Sequence, residues 1–88
     1  PWLDVSATLG DDGFANLAVV NIHDSQDFES RVEGAQGEVT VFTVTADDLS
    51  ASNMNGKEEV AIKESTWDGS GSYVFPRHSL TLLRWKAE

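Results

Sequence analysis

The closing segment of the chain is Tyr73-Val74-Phe75-Pro76-Arg77-His78-Ser79-Leu80-Thr81-Leu82-Leu83-Arg84-Trp85. Successive side chains of a strand point to opposite faces, so Leu80 and Leu82 share one face while Leu83 and Trp85 share the other. Large apolar side chains on both faces are typical of a strand that is covered on both sides. The segment therefore predicts a central strand, packed against a partner beyond its own sandwich.

The rest of the chain predicts short strands joined by turns that are rich in Gly and Asp. Residues 2–9 alternate as a half-buried strand does, and Gly10-Asp11-Asp12-Gly13 predicts a hairpin turn into a strand over residues 14–22. A second hairpin turn is predicted at residues 34–37. Further strands are predicted over residues 28–33, 38–46, 59–64 and 73–75, and loops over residues 47–58 and 65–72.

These elements predict the fold class. No segment keeps a helical apolar period. The pattern favours an all-β fold without substantial helix, an antiparallel, jelly-roll-like β-sandwich of about six or seven short strands. The 88 residues suffice for one small domain. We expect residues 1–88 to be a single β-sandwich domain and, because the chain begins inside a predicted strand, one part of a longer polypeptide.

The charge of the chain argues against several classes of partner. Fifteen acidic residues against 6 basic ones give a formal charge of −9, which repels phosphate backbones and anionic lipid head groups. No run approaches the roughly 18 apolar residues of a membrane span. We therefore expect neither nucleic acid nor membrane as a partner.

The acidic side chains suggest a glycosidase, in which one carboxyl group protonates the leaving group and a second attacks or activates water. Asp11 and Asp12 lie in a tight turn, and the adjacent Glu58 and Glu59 would point to opposite faces of a strand. Asp47 and Asp48 open a loop. The sequence predicts no catalytic residue in this chain.

The sequence offers only weak candidates for a metal site. Asn53-Met54-Asn55-Gly56 resembles the middle of an EF-hand loop, but Ala51 and Ile62 would occupy the first and last ligand positions, so Asn-Gly turn chemistry is favoured. Asp24 and Asp27 leave open a surface cation, and the chain has two histidines and no cysteine for zinc. The sequence predicts no metal and no cofactor.

Aromatic residues near the predicted loop at 65–72 suggest a sugar site. Trp67 and Tyr73 could place flat rings against the apolar face of a sugar, with Asp68 beside them. The alternative is that these rings pack on their own domain or on a neighbouring one.

Several segments together resemble one known family. The strongest resemblance is in residues 75–83, where a Pro and a variable residue are followed by His-Ser-Leu-Thr and an apolar strand. Four further segments are similar to the same family, residues 2–7, 17–21, 42–49 and 53–60. In these segments the chain resembles the C-terminal β-sandwich domain of the α-L-arabinofuranosidases of glycoside hydrolase family 51, particularly the fungal branch. Many members carry two prolines before the His-Ser pair, whereas this chain has Pro76 alone, which indicates a sub-branch.

The resemblance implies an accessory domain, not itself catalytic, of a secreted, extracellular enzyme. In that family a catalytic (β/α)8 barrel supplies both glutamates of a retaining mechanism, and the parent would release terminal non-reducing α-L-arabinofuranosyl residues from arabinoxylan and arabinan. The barrel is the expected partner, with arabinose-containing polysaccharide as a possible second one. We expect Phe14, Leu83 and Trp85 to expose an apolar surface that packs on the barrel, because they lie on the second face of two-sided strands.

The sequence leaves two alternatives open. One is a carbohydrate-binding module that uses Trp67 and Tyr73. The other is an immunoglobulin-like interaction module, which depends on fold analogy alone.

Overall fold

The computed structural model describes residues 3–23, 25–45 and 62–87, and within these ranges the chain forms seven strands and no helix. In the described part there is accordingly no helix of the length and hydropathy that a membrane crossing requires. The strands are β1 (Leu3–Leu9), β2 (Phe14–Asn21), β3 (Phe28–Arg31), β4 (Val39–Thr45), β5 (Lys63–Trp67), β6 (Ser72–Phe75) and β7 (Ser79–Lys86). All pairings are antiparallel, so the predicted fold class is confirmed.

The larger sheet has five strands in the order β1-β2-β7-β4-β5, and the closing strand lies at its centre, as predicted. Leu83 of β7 pairs with Leu17 of β2 on one side and with Val41 of β4 on the other. The smaller sheet consists of β3 and β6. We call the face of the larger sheet that packs against β6 the inner face, and the opposite one the outer face.

The predicted β1–β2 hairpin is confirmed. The Gly10 amide donates to the Phe14 carbonyl at 2.9 Å, and the Phe14 amide donates to Oδ1 of Asp12 at 3.0 Å. Gly13 has a φ of 81°, a left-handed conformation that side-chain-bearing residues adopt only at a cost in energy. In this turn Gly13 provides the left-handed backbone conformation, and Asp12 accepts a hydrogen bond from the backbone.

The second predicted hairpin is wrong. β3 pairs with β6, not with β4, so residues 34–37 carry the chain from the small sheet to the large one. Turn-forming residues specify that the chain changes direction, but they do not specify which strand the following segment will pair with. Long-range pairing decided the topology here.

The limits of β5 also differ from the prediction. The strand covers Lys63–Trp67, so the predicted loop at 65–72 starts three residues too early, while residues 59–61 lie outside the described part of the chain. β5 is an edge strand whose side chains are exposed except for Trp67. A strand that buries one side chain has little apolar alternation for a sequence pattern to detect.

The core lies between the inner face of the large sheet and β6. Its buried apolar members come from both sheets: Val19, Val39, Val41, Phe75, Leu83 and Trp85. Partly buried side chains from β5, β6 and the segment after β3 pack around this cluster, among them Trp67, Tyr73 and Val32. The two sheets therefore form a sandwich with one small core.

The exposed apolar surface predicted around Leu83 and Trp85 is not found at these positions. Leu83 is 0% and Trp85 7% exposed, because both lie on the inner face, where Phe75 belongs to the same core cluster. The other face of β7 is the open one, and there Leu80 is 45% exposed. The sequence shows that both faces of β7 carry large apolar side chains. Only the position of the small sheet decides which of the two faces is covered.

The small sheet covers only part of the inner face. Two strands span less width than five, since neighbouring strands lie roughly 4.8 Å apart. On the edge strand β1, Val5 and Leu9 point to the same side as Val19 but are 54% and 71% exposed. A strip of the inner face along β1 is therefore open in this chain.

Replacing Thr81 by Val is expected to stabilise the fold by about 1 kcal/mol, because an isosteric methyl group would replace a buried hydroxyl that lacks a partner. Thr81 is fully buried on β7, and its Oγ1 makes no hydrogen bond among the described residues. Urea unfolding followed by tryptophan fluorescence measures the change. Thr8→Val, on the exposed strand β1, serves as the control and should have little effect. A destabilised Thr81→Val variant would show that the hydroxyl has a partner.

Candidate functional site

A row of aromatic rings joins the two sheets at the β5 end of the sandwich. The Trp67 and Tyr73 rings meet edge to face with centroids 5.2 Å apart, and the Tyr73 and Phe75 rings are also 5.2 Å apart. Phe75 belongs to the core, whereas Trp67 and Tyr73 are half-buried. The structure thus brings together the two residues that the sequence suggested for sugar binding, and each contributes to packing within the domain.

A surface cleft of about 360 Å³ lies beside the Trp67 ring. Glu38, Thr66 and Asp68 line it together with Trp67 and Gly37. An aromatic surface next to carboxylates can hold a polyhydroxylated ligand, since carboxylates accept hydrogen bonds from hydroxyl groups. The Tyr73 ring contacts the Trp67 ring, and Tyr73 does not line the cleft. Sugar binding at Trp67 and Tyr73 stays a prediction.

Asp68 is held as a carboxylate at the rim of this cleft. Its Oδ1 accepts hydrogen bonds from the Ser70 amide at 3.0 Å and from the Ser70 hydroxyl at 2.8 Å. These bonds stabilise the ionised form, so they lower the pKa of Asp68 below its ordinary value of 3.8. The same bonds fix the turn that joins β5 to β6.

Gly69 in that turn lies against the segment that leads into β4, and Gly69→Ala is expected to destabilise the fold by about 2 kcal/mol or more. Its φ is 78°, and a Cβ there would lie 3.2 Å from both the Gln36 nitrogen and the Gly37 oxygen. Gly71→Ala is the matched control: its φ is 71°, but a Cβ would meet nothing within 4 Å. We expect it to cost about 1 kcal/mol in urea unfolding. Equal effects would exclude a steric role for the close approach.

The outer face of the large sheet carries a second candidate site, an apolar patch. Val20 and Val44 flank Leu80 across the strands, and Phe42 flanks Leu82 in the next row. A groove of about 340 Å³ is lined by the side chains on β4 and β7 together with Ile62. We define the outer patch as Val20, Phe42, Val44, Ile62, Leu80 and Leu82. The exposed apolar surface that was predicted at Leu83 and Trp85 lies instead on the opposite face of β7, and the alternation of Leu80 and Leu82 was the available signal.

Phe14 lies at the opposite, polar end of the outer face. The Arg84 guanidinium carbon is 4.3 Å from the centroid of the Phe14 ring, Nη2 of Arg84 donates to Oδ2 of Asp12 at 2.9 Å, and Nη1 donates to Oδ1 of Asn16 at 3.3 Å. The Phe14 amide and then the Arg84 side chain lower the pKa of Asp12. Phe14 is therefore half-covered within its own sheet, and its contact with a barrel stays a prediction.

The described carboxyl groups with a shifted pKa are Asp12 and Asp68, and both shifts are downward. A glycosidase general acid requires the opposite shift, since it must hold its proton near neutral pH. Neither shift therefore favours the role of that acid. Of the other acidic candidates, Asp11 is exposed in the β1–β2 turn, and Asp47, Asp48, Glu58 and Glu59 lie outside the described residues.

Of the acidic candidates for cation binding, Asp27 lies within the described residues and Asp24 lies outside them. Oδ1 of Asp27 accepts a hydrogen bond from the Arg77 amide at 2.7 Å, so it holds the β6–β7 turn. The segment at residues 53–56 also lies outside the described part. Within the described ranges, no three His, Cys, Asp or Glu side chains are grouped closely enough to hold a metal ion.

No protein-family model matches the sequence. The chain is 74% identical over 88 residues to the probable alpha-L-arabinofuranosidase C of Aspergillus fumigatus, covering 100% of this chain and 17% of the relative. It is 62% identical over 87 residues to the alpha-L-arabinofuranosidase C of Emericella nidulans, covering 99% of this chain and again 17% of the relative. The chain thus spans about a sixth of the length of the curated relatives that it matches.

The solved structures that resemble this chain are also alpha-L-arabinofuranosidases. The GH51 alpha-L-arabinofuranosidase of Thermotoga petrophila superposes with a TM-score of 0.76 at 29% identity, over 97% of this chain and 19% of that one. The alpha-L-arabinofuranosidase of Thermotoga maritima, solved as an arabinose complex, superposes with a TM-score of 0.77 at 28% identity, over 98% of this chain and 19% of that one.

The fold and the comparisons together define the class of this chain, an all-β sandwich that corresponds to a small C-terminal part of the larger proteins that it matches. The resemblance found in the sequence is confirmed, since the chain matches the C-terminal part of fungal α-L-arabinofuranosidases C and its structural neighbours are arabinofuranosidases of glycoside hydrolase family 51.

Proposed function

We propose that this chain is the accessory, non-catalytic C-terminal domain of a secreted α-L-arabinofuranosidase, forming a single β-sandwich over residues 1–88. The observation that carries the proposal is the match of the whole chain to 17% of the length of the arabinofuranosidases C. The parent would release terminal non-reducing α-L-arabinofuranosyl residues from arabinoxylan and arabinan with retention of configuration. This domain would support the catalytic barrel, not perform the chemistry.

The surface of the domain supports a bracing role. The core is small, and two apolar regions stay open, the strip along β1 and the outer patch. Contiguous apolar surface on a soluble domain marks an interaction site. A domain that buries part of its apolar surface against a neighbouring domain stabilises that neighbour. Unfolding of either domain would lose the contact between them, so the contact favours the folded state of both.

The test compares three proteins: the parent polypeptide, the 88-residue chain alone, and the parent carrying Gly69→Ala. We expect the parent to release arabinose from an aryl α-L-arabinofuranoside and from arabinoxylan, and the chain alone to release none. Gly69→Ala should lower the midpoint of thermal inactivation and leave kcat/KM at low temperature unchanged. Arabinose release by the chain alone would overturn the accessory role, and absence of the parent from the culture medium would overturn secretion.

The carbohydrate-binding module is kept as a second candidate because Trp67, Glu38 and Asp68 share one cleft. Calorimetric titration of the chain with arabinoxylan oligosaccharides tests it, since this readout does not depend on the tryptophan that is removed. Binding that Trp67→Ala abolishes and Trp67→Phe partly retains would support a sugar site. Absence of binding heat with the unsubstituted chain would leave Trp67 as a packing residue.

A further inference from the structure

The outer patch extends both along and across the strands of the larger sheet. Its side chains form cross-strand rows over β2, β7 and β4, and Val20, Leu80 and Ile62 are 36%, 45% and 58% exposed. The strip along β1 is one residue wide by comparison, because β1 is an edge strand. A patch that spans several strands can pack against the surface of a partner, whereas a single row of side chains offers too little area.

The rest of the outer face makes a polar boundary for this patch. At the next position along the strands, Asn16, Arg84 and Thr40 lie side by side, and Arg84 is already paired with Asp12. An apolar centre with a polar rim is the usual organisation of a protein–protein interface. The chain as a whole carries a charge of −9, so an apolar area of this size stands apart from an otherwise acidic molecule.

We propose that the outer patch docks against an apolar surface of the preceding part of the same parent polypeptide; this proposal rests on the proposed function and assigns the contact to one face of one sheet. The length of chain outside the structure favours this occupant. The 88 residues are 17% of the length of the matching relatives, so most of such a parent lies outside this chain. A covalently linked partner is present at high effective concentration, so a modest contact suffices.

The docked patch is tested in the intact parent by hydroxyl-radical footprinting, which labels exposed side chains. Val74 on the small sheet is the matched control, since it is 48% exposed and Leu80 is 45% exposed in this chain. We expect Leu80, Leu82 and Ile62 to be labelled severalfold less than Val74. Equal labelling of Leu80 and Val74 would overturn the proposal.

Substitution gives an independent readout. Leu80→Thr and Val74→Thr both keep a strand-forming residue while removing apolar surface. In the parent we expect Leu80→Thr to lower the melting temperature by about 2 to 4 °C and Val74→Thr to have less than half that effect. Equal shifts for the two variants would also overturn the docking site.

Other occupants of the patch give distinct results. Protection that disappears on dilution of the parent would assign the patch to a second copy, and protection that is lost when a short Gly-Ser linker replaces residues 46–61 would assign it to this chain itself; either outcome overturns the proposal. The arabinofuranosidase assay is read separately. An active parent with an unprotected patch refutes only the docking face, whereas an inactive parent with a protected patch refutes only the proposed function.

Discussion

Leu83→Ala is expected to lower the free energy of unfolding by about 3 to 4 kcal/mol. Leu83 is fully buried at the centre of the sandwich, paired across the strands with Leu17 and Val41 and clustered with Phe75. Removing three carbon atoms there loses their transfer free energy and leaves a cavity, because a small two-sheet core cannot close around it without moving a strand. The loss is large relative to the 5 to 15 kcal/mol that holds a typical domain folded.

Urea unfolding followed by tryptophan fluorescence measures this loss. Leu9→Ala is the matched control, with the same chemical change at a side chain that is 71% exposed on the same face of the sheet. We expect it to cost less than about 0.5 kcal/mol. A Leu83→Ala variant as stable as Leu9→Ala would show that the small sheet does not cover β7.

Asn21→Ala is expected to cost about 2 to 4 kcal/mol. Asn21 ends β2 and is 1% exposed. Its Nδ2 donates to the carbonyl oxygens of Gln26 at 3.2 Å and Phe75 at 3.1 Å, and its Oδ1 accepts from the His23 amide at 3.0 Å. One side chain thus ties the large sheet, the β2–β3 connection and the small sheet together, and its removal leaves buried backbone groups without partners.

Asn16→Ala is the control for this prediction, since it removes the same side chain from the same strand at a half-buried position whose Oδ1 accepts from Arg84 at 3.3 Å. We expect it to cost less than about 1 kcal/mol in the same urea experiment. Asn21→Asp should not rescue stability, because a carboxylate would face the carbonyl oxygens of Gln26 and Phe75. Recovery with Asp would mean that the amide donor is dispensable.

The motif that carries the family resemblance has a local structural explanation. Pro76 begins the β6–β7 turn, the Ser79 hydroxyl donates to the Pro76 carbonyl at 2.6 Å, and Asp27 accepts from the Arg77 amide. His78 adopts a φ of 50° in this turn. Pro and Ser are residue types that commonly form turns, so the sequence contains a local signal for this turn. It contains no signal for the hydrogen bond to Asp27, which lies fifty residues earlier in the chain.

In the candidate cleft, too, the sequence indicates the local residues but not those from distant segments. The sequence singled out Trp67 and the neighbouring Asp68, because an aromatic residue in a Gly- and Ser-rich segment is conspicuous. Glu38 and Gly37 enter the cleft through the pairing of β4 with β5 and were not predicted. Contributions from distant segments depend on strand pairing, which local patterns do not encode.

The amino-acid pattern was sufficient for the all-β class, the β1–β2 hairpin, the central position of the closing strand and the family resemblance, because each depends on local alternation, turn chemistry or a short motif. The tertiary structure decided the pairing of β3 with β6, the limits of β5 and the face of β7 that is buried. On that strand Leu80 and Leu82 are as apolar as Leu83 and Trp85, so alternation alone assigns no side. The assignment follows from where the small sheet packs, which is a property of the whole chain.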